Sequence, residues 1–204
     1  VDQKGWRLVV KMTFDRTIAA GALVALAPVL GATAIGVRLT MGSPVLFRQI
    51  RPGFRTRPFQ VLKFRTMRDA QDRHGRQLPD SERMTKFGRF LRSTSLDELP
   101  QLINVLRGEL CFIGPRPLLT EYLERYTHEE MRRHDVMPGM AGLPAIHGRN
   151  ILSWEERFRL DIQYVDNWSL LFDAEILLKT IYKTVIREGA SGELLTSEFR
   201  PPPR

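Results

Sequence analysis

Residues 17–37, TIAAGALVALAPVLGATAIGV, carry no charged side chain over 21 residues. As one straight helix they would reach about 30 Å, the thickness of a bilayer's hydrocarbon core. Pro28 interrupts the run, and positive charge flanks it on both sides: Lys4, Arg7, Lys11 and Arg16 before, Arg38, Arg48 and Arg51 after. Positive charge marks the cytoplasmic end of a membrane segment, so two positive ends suit a segment that enters and leaves by the same face. Each half, about 10 residues, reaches roughly 15 Å, near the midplane. We read a membrane-embedded helix-break-helix hairpin with its break at Pro28. A buried core helix kinked at the proline is the alternative on these residues alone. A cleaved leader is disfavoured, because no small-residue processing site follows the apolar run and Arg38 comes at once.

The remaining composition bounds the rest. At 204 residues, 43% hydrophobic, the chain suffices for one globular domain with a core. A single cysteine, Cys111, makes no internal disulfide, which points to a reducing, cytosol-facing location. A net charge of +8 and a pI near 10.1 call for an anionic partner: nucleic acid, an acidic membrane surface or a phosphorylated substrate.

After the apolar run, residues 42–67 mix β-formers, turn residues and basic side chains. Residues 45–47 and 59–62 read as short strands around a Pro52-Gly53 turn. Arginines interleaved with phenylalanines fit single-stranded nucleic acid, or a basic surface lying on acidic lipid. Residues 69–83 are polar, with Gly75 and Pro79, and read as an exposed loop.

The stretch RSTSLDELPQL, residues 92–102, places two adjacent carboxylates, Asp97 and Glu98, before an apolar run. Ser95 and Glu98 have capping-box spacing, but in that register Pro100 would fall beyond the first turn, where its missing N–H removes a hydrogen bond. Asp97 as N-cap avoids this, with Leu99, Leu102, Ile103 and Leu106 as the apolar face. A carboxylate held there caps a helix and equally fixes a nucleophile or metal ligand in one orientation.

Downstream, Gly114-Pro-Arg-Pro117 is stiffened by two prolines that hold Arg116 in a set direction, as phosphate recognition or a surface ion pair would use. Leu119, Tyr122, Leu123 and Tyr126 keep helical spacing. Residues 138–148 form a Gly/Pro-rich loop ending in Arg149-Asn150, whose lack of periodicity favours a functional loop. His134 and His147 lack metal-ligand spacing and read as surface or hydrogen-bonding residues. An amphipathic helix is predicted over 173–187, with Ile176, Leu177, Ile181 and Val185 on one face.

Taken in order, FDR, the apolar hairpin, SPVLFRQIRPG, KFRTM, RSTSLDELPQLINVLRGEL, GPRPLLTEYL, RRH, PGM, GRN and YVDNWSLLFDAEILLKT resemble the bacterial sugar transferases that are monotopic phosphoglycosyl transferases. The resemblance runs from about residue 14 to 180, and the length is similar to the small, catalytic-domain-only type. It implies transfer of a sugar-1-phosphate from a UDP-sugar to polyprenol phosphate, giving polyprenol-diphosphate-sugar and UMP, in the initiating membrane step of a bacterial glycoconjugate or polysaccharide. By match to the family's acidic dyad, Asp97 is the nucleophile and Glu98 helps hold Mg²⁺. Lys63, Arg65, Arg92, Arg116 and Arg149, with Asn150, are expected around the substrate phosphates. The partners implied are the nucleotide donor, polyprenol phosphate and membrane lipid, without nucleic acid, at the cytoplasmic face of the inner membrane. Two readings stand beside this one: a basic membrane-anchored nucleic-acid-binding module, and a one-step transferase in which Asp97 is only a metal ligand.

The chain departs from the family where Ala27 precedes Pro28 in place of serine and where Cys111 replaces serine. It departs again in PGMAGLPAIHGR, where Ala141, Leu143, Pro144, Ala145 and His147 replace polar and aromatic residues, a change that bears on donor choice. The fold expected is mixed α/β, helix-rich with a few short strands and amphipathic surface helices. Its parts are a re-entrant membrane helix at 1–40, a cytosol-facing catalytic domain at 41–190 continuous with it, and a flexible tail at 191–204.

Overall fold

The computed structural model describes residues 3–148 and 152–185. Two helices open it, α1 (Gly5–Ala25) and α2 (Ala27–Met41), bent by 66° at the break between them. Pro28 stands within the first turn of α2, where the missing N–H is harmless to α2 itself. It has no N–H to give the carbonyl of Val24, so one continuous helix is not available. The bend therefore falls at Leu26, just before the proline. No single helix among the described residues is long and apolar enough to cross a membrane; the bent pair together has that length and composition. Val24, Ile35 and Leu39 are 78%, 63% and 80% exposed, which removes the buried core helix as a reading of this segment.

The chain continues through β1 (Leu46–Pro52), β2 (Pro58–Phe64), α3 (Asp80–Arg83), α4 (Lys86–Ser93), α5 (Gln101–Arg107) and β3 (Cys111–Ile113). It then forms α6 (His128–Met131), β4 (Gly139–Ala141), α7 (Leu143–Ile146), α8 (Trp154–Asn167) and α9 (Leu170–Val185), with short 3₁₀ turns between. The architecture is helix-rich with a few short strands. Strands β1 and β2 pair as a hairpin; β1 begins one residue after the start of the predicted 45–47 and runs on to Pro52, and β2 outruns the predicted 59–62 on both sides. Its turn is closed by Gly53 N–H to Arg57 carbonyl at 2.8 Å, with Arg55 and Thr56 left-handed. The predicted loop 69–83 ends in the single turn of α3.

The chain packs as two units that interleave along the sequence. One comprises Ile18–Gln49 and Gln60–Asn104. Its core is Val37 and Met41 of α2, Phe64 of β2 and Leu91 of α4, with Phe87 and Leu96 packed around them. Burying a Val, Leu or Phe side chain contributes about 1.5–3 kcal/mol. Thr85 caps α4 by accepting from the Gly88 N–H at 2.8 Å. Gly88 is obligatory by contact: a Cβ there would lie 1.8 Å from the Thr66 carbonyl oxygen.

The other unit comprises Val1–Thr17, Ile50–Phe59 and Val105–Arg204. Strands β3 and β4 pair in parallel, Cys111 opposite Gly139 and Ile113 opposite Ala141. A Cβ on Gly139 would lie 2.1 Å from the Gly114 nitrogen, so the strands approach through glycine. Around them Ile113, Val136, Leu143, Ile146, Tyr164, Trp168 and Ile176 form the core. The predicted loop 138–148 is thus a strand and a helical turn. Helix α8 begins with a capping box between Ser153 and Glu156. Helix α9 starts earlier than expected and buries Ile176, whereas Ile181 is 52% exposed. Residues 186–204, including the predicted tail and Arg187, lie outside the described residues.

The first turns of α1 enter this unit through buried charge. The Lys11 ammonium donates to the Ile113 carbonyl at 2.9 Å and to Asp173 at 2.6 Å. Asp173 also accepts from Tyr164 Oη at 2.6 Å and Trp168 Nε1 at 3.1 Å. Asp15 accepts from the Phe112 N–H at 3.1 Å.

Candidate active site

The acidic pair is presented by a sharp turn between two helices. Helix α4 ends at Ser93, Thr94 stays helical, and Ser95 turns left-handed at φ 57°. That reversal starts a 3₁₀ turn over Leu96–Glu98, closed by Glu98 N–H to the Ser95 carbonyl at 3.1 Å. Ser95 makes no side-chain cap hydrogen bond, so the capping box suggested by its spacing is absent. Asp97 is likewise not an N-cap: it lies inside the 3₁₀ turn, and α5 begins four residues later at Gln101. Pro100 fits there because it precedes the helix. The side chain of Asp97 is buried, the residue being 8% exposed.

Glu98 is held from β2. Lys63 Nζ donates to Glu98 Oε1 at 2.7 Å, both side chains about a quarter exposed (27% and 22%). Arg92, one turn before Asp97, donates from Nε to Thr66 Oγ1 at 3.1 Å. Arg65 is largely committed to backbone, donating to the Met67 and Ser43 carbonyls at 3.0 Å each. Lys63, Arg65, Arg92, Asp97 and Glu98 all belong to one unit. Pro28 belongs to the same unit and serves as the helix break already described.

Arg116 belongs to the other unit. Its carbonyl accepts from Arg133 Nη2 at 2.8 Å and its Nη1 donates to the Met140 carbonyl at 3.3 Å. Arg133 is itself buried and paired with Asp161 at 2.6 Å, so a buried ion pair supports the Pro-Arg-Pro turn. Arg51 and Arg157 stand near Arg116: burial first, and then the Arg116 charge, pull both guanidinium pKa values below the usual range. From sequence Arg51 reads only as a positive flank of the apolar run, and Arg157 is not singled out. Arg149 and Asn150 lie outside the described residues.

His134 is buried at 6% exposure, with Nδ1 3.3 Å from the Gly53 carbonyl. Burial and the neighbouring Arg133 charge push its pKa down to about 4, so at neutral pH the ring is uncharged and donates from Nδ1. It is a hydrogen-bonding residue as expected, but not a surface one. His147 is exposed and bonds the Leu143 carbonyl at 3.0 Å.

Among the described residues no group of three or more His, Cys, Asp or Glu side chains could hold a metal. Asp97 and Glu98 are the alternative: adjacent hard carboxylate oxygens of the kind Mg²⁺ takes one or two at a time when substrate phosphates complete its shell.

The sequence model described as bacterial sugar transferase matches residues 6–187, from the first turn of α1 past the end of α9. The chain belongs to that family. This sugar transferase is 50% identical over 182 residues to the uncharacterized sugar transferase EpsL of Bacillus subtilis (strain 168), covering 89% of the chain and 90% of that protein. It is 38% identical over 197 residues to the exopolysaccharide production protein ExoY of Sinorhizobium fredii, covering 88% and 87%. It is 36% identical over 202 residues to the UDP-glucose:undecaprenyl-phosphate glucose-1-phosphate transferase of Xanthomonas campestris pv. campestris, covering 93% of the chain but 42% of that protein. The transferase thus spans nearly all of EpsL and ExoY and about two fifths of the Xanthomonas enzyme.

Proposed function

We propose that the chain transfers a sugar-1-phosphate from a UDP-sugar to polyprenol phosphate through a covalent phosphosugar on Asp97. The observation that carries this reading is the turn itself: a buried Asp97 beside a Glu98 pinned at 2.7 Å by Lys63. A buried carboxylate in a fixed turn is oriented before substrate arrives, which lowers the entropic barrier to attack. In the first step an Asp97 oxygen attacks the phosphorus nearest the sugar, the bond from that phosphorus to the bridging oxygen breaks, and UMP departs. In the second, an oxygen of polyprenol phosphate attacks the same phosphorus and the Asp97 carboxylate is released. Dividing the reaction keeps two polyanionic substrates from meeting at one phosphorus.

Glu98 is the residue that would hold Mg²⁺, which when bound neutralises the diphosphate and the departing nucleotide phosphate. Lys63 orients Glu98, Arg92 supplies a cationic group for the phosphates, and Arg65 shapes the site through its backbone bonds. The names of the relatives support the donor and acceptor classes and a role in exopolysaccharide production. UDP-glucose is the first donor to test.

In this reading the bent α1–α2 pair is a re-entrant membrane hairpin. It would hold the catalytic part at the cytoplasmic face of the inner membrane, where a polyprenol phosphate keeps its charged end at the interface and its tail in lipid. The bend and the exposed apolar side chains support this.

The test is incubation with UDP-glucose in the absence of acceptor, followed by mass analysis of the peptide containing Asp97. A hexose-phosphate adduct on Asp97 is expected. UMP formation only when acceptor is present, with no adduct, would establish the one-step reading instead. Tight, salt-sensitive oligonucleotide binding that ignores Asp97 would favour the nucleic-acid module.

A further inference from the structure

Strand β2 carries Lys63, and one of its edges is engaged by a side chain rather than by another strand. Asn104, in the middle of α5 and 0% exposed, donates from Nδ2 to the Gln60 carbonyl at 2.8 Å. Its Oδ1 accepts from the Leu62 N–H at 3.1 Å. Residues two apart on a strand present their backbone groups to the same edge, so one carboxamide does there what a neighbouring strand would do. Lys63 is the next residue, and its ammonium bonds Glu98. Glu98 lies six positions before Asn104, so the contacts close a ring: Glu98, the turn into α5, Asn104, the β2 backbone, Lys63 and Glu98 again.

We infer that Asn104 is a positioning residue for the reacting turn, setting the register of β2 against α5 so that Lys63 meets Glu98. The inference rests on the proposed roles of Asp97 and Glu98. Its physical basis is the difference between directional and non-directional contact. Apolar packing of Leu102 and Val105 holds α5 down but tolerates sliding. Two hydrogen bonds to backbone groups of fixed spacing do not. A slip of one residue along β2 would send the position-63 side chain to the opposite face of the strand, and the Lys63 to Glu98 bond would be lost. A buried asparagine is also costly unless both ends of its amide are bonded; here both are.

Three variants of the full chain test this, assayed as UMP release from UDP-glucose with undecaprenyl phosphate. Asn104→Leu keeps the volume and removes both bonds; kcat should fall about tenfold or more while donor KM stays within about twofold. In a Lys63→Arg background the same substitution should change kcat by less than about twofold, because the contact it protects is already altered. Asn104→Asp supplies a rescue. Its ionised carboxylate would face the Gln60 carbonyl with no donor, whereas the protonated acid gives an O–H to that carbonyl and accepts from the Leu62 N–H. Its activity relative to the parent at the same pH should rise as pH falls, and that of Asn104→Leu should not.

Independent losses from Asn104→Leu and Lys63→Arg, or a flat relative pH profile for Asn104→Asp, would overturn the inference and leave Asn104 as a packing residue. The pH arm decides by itself where another variant fails to fold or turn over. Asp97→Asn run alongside separates the two levels. Retained turnover there defeats the proposed chemistry, whereas its loss together with independent Asn104 effects defeats only this inference.

Discussion

Lys11 and Asp173 are 162 residues apart in sequence and 2.6 Å apart in space, joining α1 to α9 within one unit and nearly excluded from water. Asp173 keeps Tyr164 and Trp168 as donors if Lys11 is removed, whereas Lys11 without Asp173 retains the Ile113 carbonyl and an Asp15 oxygen 3.9 Å away. Breaking a buried pair from one side costs about 3–5 kcal/mol when the remaining charge is poorly met. Asp173→Leu should therefore destabilise more than Lys11→Met, by about 1–2 kcal/mol, in denaturant unfolding of the detergent-solubilised protein. The reverse order would show that Asp173, not Lys11, is the harder charge to keep buried.

Asp97→Asn should abolish turnover, by at least about a thousandfold, with an unchanged unfolding midpoint, because the amide preserves shape and lacks a nucleophilic carboxylate. Glu98→Gln should keep its contact with Lys63 in weakened form and shift the half-saturating Mg²⁺ concentration upward. Full activity of the parent enzyme in excess chelator would contradict the metal role.

Stability should decline on mild acidification through His134. An unfolded histidine titrates near 6.5 and the folded one at about 4. The unfolded state thus binds the extra proton between those values, and the contribution present above pH 6.5 is lost progressively as pH falls toward 4. Between pH 7.5 and 5 this amounts to about 2 kcal/mol. His134→Gln should remove that slope; a slope unchanged in the variant would place the titration elsewhere.

Gly88→Ala brings a methyl to 1.8 Å from the Thr66 carbonyl, a backbone atom that cannot step aside cheaply. Separation of α4 from the end of β2 should cost about 2 kcal/mol or more. It should also loosen the Arg92 to Thr66 bond, lowering activity at temperatures where the variant is still folded.

Topology is checked with cysteines at Lys4 and Ser43, one on each side of the bent pair. Both should react with a membrane-impermeant thiol reagent from the cytoplasmic side only. Pro28→Leu restores a donor for the Val24 carbonyl and an unbroken apolar helix, so it should move the position-4 label to the opposite face and lower activity.

Much of this molecule is written in its sequence where side-chain pattern and backbone demand agree. The charge-free run and Pro28 give the break of the bent pair to within two residues, although α1 begins at Gly5, well before the run, and Asp97-Glu98 stands out against its basic surroundings. The misreadings occur where backbone contacts decide. Strands β3 and β4 are three residues each and approach through Gly139 and Gly114, so no alternation marks them. The face of α5 was expected to include Leu106, which is 43% exposed; the amide of Asn104 instead turns the helix so that its own side chain is inside. Ser95 has ordinary N-cap chemistry, yet its left-handed backbone makes it the reversal that ends α4. The burial of Arg133 and His134 is not legible in the sequence, because burial of a charge or a ring nitrogen depends on partners, Asp161 and Gly53, that are distant along the chain.

The lone cysteine has a practical consequence. Cys111 sits in β3 at 1% exposure, and burial first among several causes raises its pKa well above that of a free thiol. Alkylating reagents need an accessible thiolate, so the native chain should be chemically silent toward them. Spectroscopic or cross-linking handles can then be introduced one at a time at any surface position without first replacing a natural residue. Reaction at Cys111 itself becomes an internal alarm that the fold has opened.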